Sequence, residues 1–369
     1  MRIASFTLNV SLPGGIEKIC VLLAEHWARA GNESDIISFT GGAGSFFPAT
    51  EKVSMKYLGI KKKNIGLIGF LSANMQRITK LRALLKNERY DIMVCHGPIP
   101  LIMGGIAALG LKIKMISYPH MVVDPGRNCV MKILQYIGFF FAKYIVLQAR
   151  ADKIFIPLFL RSRIIVIPNL TEINASSYLQ NVRKQKVFLA VGNLRPAKNY
   201  AALIKAFAIS GMSDCGWKLK IAGDGDMFSM NKLNNDARCY KVENSVFLLG
   251  AIRNVSNLYE EASVFVNSSN VEGMSIATID ALLYGVPIVA TDCSNGQREL
   301  VIDNKNGFLM PTGAIDSIAD ALRRLAEDDA LRGSMSRAAL KHSELFLPFY
   351  VYSLWDSLIC PSKAGNLNE

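Results

Sequence analysis

The sequence predicts an α/β protein of two domains, each built around a parallel sheet. Three observations carry this. A chain of 369 residues is longer than one domain usually runs. Short apolar runs alternate with longer segments of helical periodicity. The alternation breaks at a polar stretch, Thr171 to Lys186, and then restarts.

Arg2 to Leu8 alternates as a strand does, and Ile16 to Ala30 follows with apolar residues at helical spacing. Ala73 to Lys86 has the same helical period, while Tyr90 to Cys95, Lys114 to Tyr118 and Ile164 to Ile167 are short apolar runs suited to strands. Past the polar stretch, strands are expected at Val187 to Val191, Leu219 to Ala222, Val246 to Leu249, Val264 to Asn267 and Ile288 to Thr291. Ile164-Ile165-Val166-Ile167 and Pro287-Ile288-Val289-Ala290 are nearly continuous in apolar character, as strands are when helices cover both faces of a parallel sheet. Ligands of such sheets lie beyond the carboxyl ends of the strands, so function is sought in the loops that follow them.

Half of the residues are hydrophobic and mean hydropathy is +0.23, yet no charge-free apolar run reaches about 18 residues, so no spanning helix is expected. Met1 to Asn9 lacks the apolar stretch and cleavage site of a secretory signal. Seven cysteines, odd in number and never spaced C-x-x-C, fit neither a disulfide framework nor a zinc site and suit a reducing cytoplasm. The net charge of +12 is lopsided: residues 1–180 hold 22 Lys and Arg against 10 Asp and Glu, and residues 181–369 hold 20 of each. A basic first half points to an anionic partner, such as a lipid headgroup or a diphosphate. The excess charge has little aromatic interleaving and no recognisable nucleic-acid module, which speaks against a nucleic-acid-binding protein.

Two loops stand out. After Val187 to Val191 comes Gly192-Asn193-Leu194-Arg195-Pro196-Ala197-Lys198-Asn199, then a helix from about Tyr200 to Ser210. Arg195 and Lys198 precede a helix N-terminus, where free amides and the helix dipole already favour an anion such as a diphosphate. The ordinary alternative is a solvated loop with Asn199 as cap. Further on, Glu272 and Asp280 bracket a helix start; eight residues at a rise of about 1.5 Å span roughly 12 Å, on the order of the distance from hexose to ribose in a nucleotide sugar. Carboxylates accept from vicinal hydroxyls, and the amides of Gly273, Met274 and Ser275 would face a ligand there. A solvated pair of acids is the ordinary alternative. Gly223-Asp224-Gly225-Asp226 only superficially matches a dinucleotide fingerprint, since Phe228 stands at its third glycine; it reads as a turn with Asp224 or Asp226 capping the next helix.

Taken together, these residues resemble the retaining glycosyltransferases of the GT-B fold, family 4, with signatures G-R-L-x-x-x-K-G and E-x7-E. The resemblance extends to Gly14-Gly15, Ile167-Pro168-Asn169, Gly223-Asp224-Gly225 and Asn306-Gly307-Phe308-Leu309. It implies an N-terminal Rossmann-like acceptor and membrane-facing domain over 1–175. A nucleotide-sugar-binding Rossmann-like domain would span 176–345 across a cleft, and a helix and tail over 346–369 would return to the first domain. By the same resemblance Glu272 contacts donor-sugar hydroxyls, Asp280 the ribose, and Lys198 with an arginine the diphosphate. The loop with Gly14 and Gly15 lies near the donor phosphates, and His120 near the reacting centre. His96 is a further candidate. Asn193 stands where the family has Arg, so Arg195 is the expected substitute; Asp280 replaces the second Glu, one methylene shorter. Reaction by front-face attack without a metal, from a UDP-sugar in preference to a GDP-sugar and with no other cofactor, is implied too. Competing classes are a GT-B sugar-nucleotide 2-epimerase, a silent paralogue, and a dinucleotide oxidoreductase disfavoured by the incomplete glycine pattern.

Lys56 to Arg89 is basic and apolar at once: Lys61-Lys62-Lys63, then Ile65, Leu67, Ile68, Phe70 and Leu71, then Arg77, Lys80, Arg82 and Lys86. Such a segment suits an anionic bilayer, and equally a solvated helix over a core. Phe139-Phe140-Phe141, within Val130 to Leu147, is either core or membrane-facing. A peripheral protein on the inner face of the cytoplasmic membrane, receiving a lipid-linked or oligosaccharide acceptor for bacterial surface polysaccharide, is the expectation.

Overall fold

Two separate parallel sheets organise the chain in the computed structural model, which describes residues 1–40, 42, 44–59, 67–121, 129–173 and 184–360. The first sheet holds β1 (Arg2–Thr7), β2 (Glu33–Ser38), β3 (Val53–Tyr57), β4 (Ile92–His96), β5 (Lys114–Tyr118), β6 (Tyr144–Leu147) and β7 (Ile164–Val166), in the order β3-β2-β1-β4-β5-β6-β7. Its helices are α1 (Gly15–Arg29), α2 (Leu67–Glu88), α3 (Pro98–Ala108) and α4 (Cys129–Phe139). The second sheet holds β8 (Val187–Val191), β9 (Lys218–Ala222), β10 (Val246–Gly250), β11 (Val264–Asn267), β12 (Ile288–Thr291) and β13 (Gly307–Met310), in the order β10-β9-β8-β11-β12-β13. With it go α5 (Tyr200–Ser210), α6 (Met227–Cys239), α7 (Ser256–Glu261), α8 (Ile276–Leu283), α9 (Asn295–Leu300), α10 (Ile315–Glu327) and α11 (Asp329–Ser343). The final helix is α12 (Pro348–Ile359).

Side-chain alternation along the strands feeds a core on each face. In the second sheet Phe188 joins Phe207 and Trp217, its ring stacked 4.5 Å from that of Trp217, while the next residue, Leu189, joins Phe265, Ile279 and Leu282 on the other face.

The chain divides into Met1–Pro168 with Tyr352–Glu369, and Asn169–Val351. The first division falls ahead of the expected 175/176 because the strand connection is already tied into the second unit. Asn169 Nδ2 donates to the Met274 carbonyl at 2.5 Å, Thr171 donates to the Asp280 carboxylate, and Ile173 is buried. The second falls within α12, later than the expected 345/346. Trp355 of that helix packs on Trp27 of α1 (6.0 Å between rings) and Tyr118 of β5 (5.2 Å), and Asp356 accepts from His26 Nε2 at 2.9 Å.

Strands β2, β3, β6 and β13 were not expected. In β2 the buried positions include Ser34 and Asp35, so the run reads as polar; Asp35 is instead met by Tyr90 Oη at 2.5 Å and Arg2 Nη2 at 3.2 Å. Val130 to Leu147, a single apolar stretch in sequence, breaks into α4 and β6. There Phe139 is buried, Phe140 is exposed and Phe141 lies over Gly105, where a Cβ would stand 2.3 Å from its ring. Among the described residues no helix is long and apolar enough to cross a membrane.

Trp355 is fully buried, so Trp355→Ala should cost about 3–5 kcal/mol through the cavity it leaves. Denaturant unfolding followed by fluorescence should show that loss, and an unchanged midpoint would mean α12 does not anchor the first unit.

Candidate functional site

Strand order in the second sheet reverses between β8 and β11, and a parallel sheet offers a ligand crevice where the loops after two such strands diverge. Those loops are the two singled out in the sequence. The loop after β8 starts by extending the ladder: the Gly192 amide donates to the Ala222 carbonyl at 2.8 Å and the Leu194 amide to the Asp224 carbonyl at 2.7 Å. Glycines make this approach possible. A Cβ on Gly223 would lie 1.9 Å from the Gly192 carbonyl oxygen, and one on Gly225 would lie 2.6 Å from Leu194 Cβ. The Gly223-Asp224-Gly225 turn is therefore the seat of the neighbouring loop. Asp226 caps α6, accepting from the Ser229 amide at 2.7 Å, and that hydrogen bonding holds its carboxyl below the usual range.

Asn193 is half-buried in this loop and Leu194 turns inward; Arg195 stays exposed and makes no ion pair among the described residues. A single 3₁₀ turn, Pro196–Lys198, intervenes before α5. Asn199 is left-handed (φ 52°, ψ 40°) and does not cap α5; its Nδ2 donates to Asn270 Oδ1 at 3.2 Å. That contact belongs to a set which fastens the two loops together. The Asn270 amide donates to the Ala197 carbonyl at 2.7 Å, and Ser268 Oγ donates to the Lys198 carbonyl at 2.8 Å.

So fastened, Lys198 Nζ forms an ion pair with Glu272 Oε2, which also accepts from Ser269 Oγ at 3.1 Å. Both charged side chains are about four-fifths buried, with 21% and 19% exposure. Tyr200 lies alongside and donates to the Gly192 carbonyl at 2.9 Å; burial and then the Glu272 charge push its phenol above the ordinary range. Cys293, after β12, is raised to about 11 by burial and then by Glu272, with Lys198 opposing.

Asp280 is placed differently. Helix α8 begins only at Ile276, capped by Ser275 Oγ, which accepts from the Thr278 amide at 3.3 Å. The interval from Glu272 to Asp280 is thus half loop, and a helical rise does not span it. Asp280 is 3% exposed, accepts from Thr171, and lies by Tyr259, whose phenol is held far up by burial and then by the Asp280 charge. Met274 is buried, with its carbonyl met by Asn169. Gly273 is held from behind by the loop after β12: Ser294 Oγ donates to its carbonyl at 2.8 Å, and a Cβ on Gly296 would lie 2.6 Å from that oxygen. Ser269, Thr171, Ser294 and Gly296 were missed in the sequence; small residues directly after a strand are the one signal for the last two.

In the first unit, Gly14 and Gly15 start α1 in the loop after β1, the strand beside which that sheet also reverses. The Glu17 side chain folds over Gly14, its Oε2 2.1 Å from where a Cβ would stand. His120, after β5, has a left-handed backbone (φ 59°) and an 8%-exposed ring set between two partners. Its Nε2 lies 3.0 Å from His96 Nδ1, and its Nδ1 lies 3.4 Å from Gln148 Nε2. A Gln amide donating to Nδ1 would make Nε2 the protonated nitrogen and His96 Nδ1 an acceptor. Burial lowers both imidazoles, His96 to about 3 and His120 well below its ordinary value, the latter helped by His96. His96, the further candidate at the end of β4, is 2% exposed. Among the described residues no three His, Cys, Asp or Glu side chains gather as a metal site.

Residues 175–342 match the family described as glycosyl transferases group 1, and residues 13–174 match glycosyltransferase family 4. The chain is 28% identical to an uncharacterized glycosyltransferase of Haemophilus influenzae, over 93% of this chain and 95% of that one. It is 24% identical, over 97% and 98%, to a Campylobacter jejuni α-1,4-N-acetyl-D-galactosaminyltransferase named for a diphosphoundecaprenol-linked substrate. Among solved structures, Anabaena HepE in complex with UDP shares the fold, with a TM-score of 0.79 at 18% identity over 98% of this chain and 99% of that one.

The two buried imidazoles set an acid limit. Their folded-state values lie below the unfolded value of about 6.5, so the unfolded chain binds protons that the native state refuses, and stability falls as pH drops from about 6.5 toward 3. Each should cost on the order of 1.4 kcal/mol per pH unit in that window. Denaturant midpoints at pH 7 and pH 5 should differ in the native chain and differ less in His96→Gln; an equal fall in both would place the acid sensitivity elsewhere.

Proposed function

The chain is a family 4 glycosyltransferase of the GT-B fold, and from that premise we propose that it moves a hexose or N-acetylhexosamine from a UDP-sugar to a lipid-linked saccharide in bacterial surface polysaccharide assembly. The observation that carries this reading is the Lys198–Glu272 pair at the strand-order reversal of the second sheet. The Campylobacter relative's lipid-diphosphate substrate and the UDP bound to HepE support the acceptor and the nucleotide.

In this reading the anomeric carbon parts from its phosphate oxygen while the acceptor oxygen adds on the same face, and the acceptor proton passes to the departing diphosphate. Configuration is retained, and no protein nucleophile or metal is called for. Positive charge comes from Lys198 and the exposed Arg195, where one donor aimed at growing negative charge is worth about 10²–10³ in rate. Glu272 takes donor-sugar hydroxyls. An ammonium has three donors and a carboxylate about four acceptor positions, so each member of the pair can keep the other and still hold substrate. Asp280 is assigned to the ribose, with the Thr171 hydroxyl fixing its carboxylate. Asn193, Gly273, Met274 and Ser275 of the second unit line the donor path.

Incubation with UDP- and GDP-sugars and a polyprenyl-diphosphate saccharide should release free UDP only when donor and acceptor are both present. Lys198→Ala and Glu272→Ala should each lower that rate by about 10²-fold or more while remaining folded. Near-normal turnover in either variant would remove the site assignment, and nucleotide release without acceptor would favour an epimerase.

A further inference from the structure

Three of the cations of α2, a helix suited equally to a bilayer and to a solvated face over a core, are engaged within the protein. Arg77 is buried over the Phe39 ring at 4.5 Å, Lys80 Nζ donates to the Leu58 carbonyl at 2.7 Å, and Arg82 Nη1 donates to the carbonyls of Ala107 and Leu109. Lys61 to Lys63 and Ile65 lie outside the described residues.

A different surface has the required character. Helix α4 buries Gln135, Gly138 and Phe139, with Gly138 so close to α3 that a Cβ there would lie 2.9 Å from Leu101 Cδ2. On its opposite side Val130, Ile133 and Ile137 are 62%, 59% and 47% exposed, and Phe140 just beyond the helix continues their stripe at 59%. At 100° per residue these four fall within an arc of about 80°. The 3₁₀ turns Arg150–Phe155 and Leu158–Arg163 add Ile154, Leu158 and Phe159, each about two-thirds or more exposed.

These two groups form one fixed surface. The Phe140 and Phe159 rings are 5.7 Å apart, Tyr136 Oη donates to the Phe155 carbonyl at 3.0 Å, and Arg163 Nη1 donates to the Ala142 carbonyl at 3.0 Å. The segment 129–163 contains Lys132, Lys143, Arg150, Lys153, Arg161 and Arg163 against a single acid, Asp152. Exposed apolar side chains that adjoin in one stripe, unlike singly scattered ones, mark an interaction surface, and the charged surroundings here are complementary to an anionic one.

We propose that the outer face of α4 and the two 3₁₀ turns after β6 form a docking surface for an anionic lipid bilayer. The apolar side chains enter the headgroup boundary, and the exposed Lys143 and Lys153 meet the lipid phosphates around them. This deepens the proposed function by naming where the enzyme meets the membrane that bears its acceptor, and it rests on that reading only for the acceptor. Vesicle binding is measured without a sugar donor, so the two fail separately.

Flotation of the full chain with phosphatidylcholine vesicles, and with vesicles of phosphatidylcholine and phosphatidylglycerol, tests it. The native chain should float with the anionic vesicles, release them as salt rises, and remain behind with phosphatidylcholine alone. The variant Ile133→Gln/Ile137→Gln/Phe159→Gln should keep its thermal midpoint and lose vesicle partition by about tenfold or more. Lys143→Glu/Lys153→Glu, which removes no apolar group, should do likewise. Undiminished binding by both variants would overturn the proposal, as would a native chain that ignores anionic vesicles. A native dimer dissolved by the triple substitution would overturn it too, by showing the face to be a subunit contact.

Discussion

Everything assigned to the second unit depends on the contact between Lys198 and Glu272, opposite charges brought together from two loops at the place where strand order reverses. Neither side chain could be left four-fifths buried without the other, because a partly desolvated charge with no partner is costly. The pair is held in place by its backbones: the Asn270 amide on Ala197 and the Ser268 hydroxyl on Lys198 fix the separation before the charges meet. A surface built in this way has little rotamer freedom left to lose when a ligand arrives.

The same economy explains the glycines. The loop after β8 can reach Glu272 only because Gly223 and Gly225 let it rest on the turn after β9, and the loop after β11 keeps its path because Gly296 lets a third loop back it. The turn after β9 and the loops after β8, β11 and β12, neighbours in the sheet, are therefore packed together behind a single ion pair. The first unit treats its histidines in another way, stacking His96 and His120 (5.3 Å between rings) beside Tyr118, which in turn meets Trp355, so the buried imidazoles and the anchoring of α12 share one aromatic cluster.

Much of this was legible in the sequence where local pattern and burial agree. The continuous apolar runs at β8, β11 and β12 are strands, and the residues flanking them supplied Lys198 and Glu272. Legibility failed where tertiary partners override local character. Strand β2 reads as polar because Asp35 is satisfied by Tyr90 and Arg2, residues far off in the chain. The spacing from Glu272 to Asp280 suggested one helical surface, but the chain is loop to Ser275 and Asp280 turns inward to Thr171. Of the two alternatives the sequence left for α2, Arg77, Lys80 and Arg82 turn to Phe39 and to carbonyls, while the apolar run from Val130 hid an outward stripe that only helix phase and packing against α3 reveal.

The Lys198–Glu272 contact sits between two loops that their backbones already fasten, and in the proposed function it presents each charge to a different part of the donor. A charge-swapped variant, Lys198→Glu/Glu272→Lys, keeps an ion pair between the loops and reverses what each presents. The account predicts a thermal midpoint close to that of the native chain together with loss of UDP-sugar binding by calorimetry. Swapped protein that binds the UDP-sugar with native affinity would contradict it, and would reduce the pair to a structural clasp.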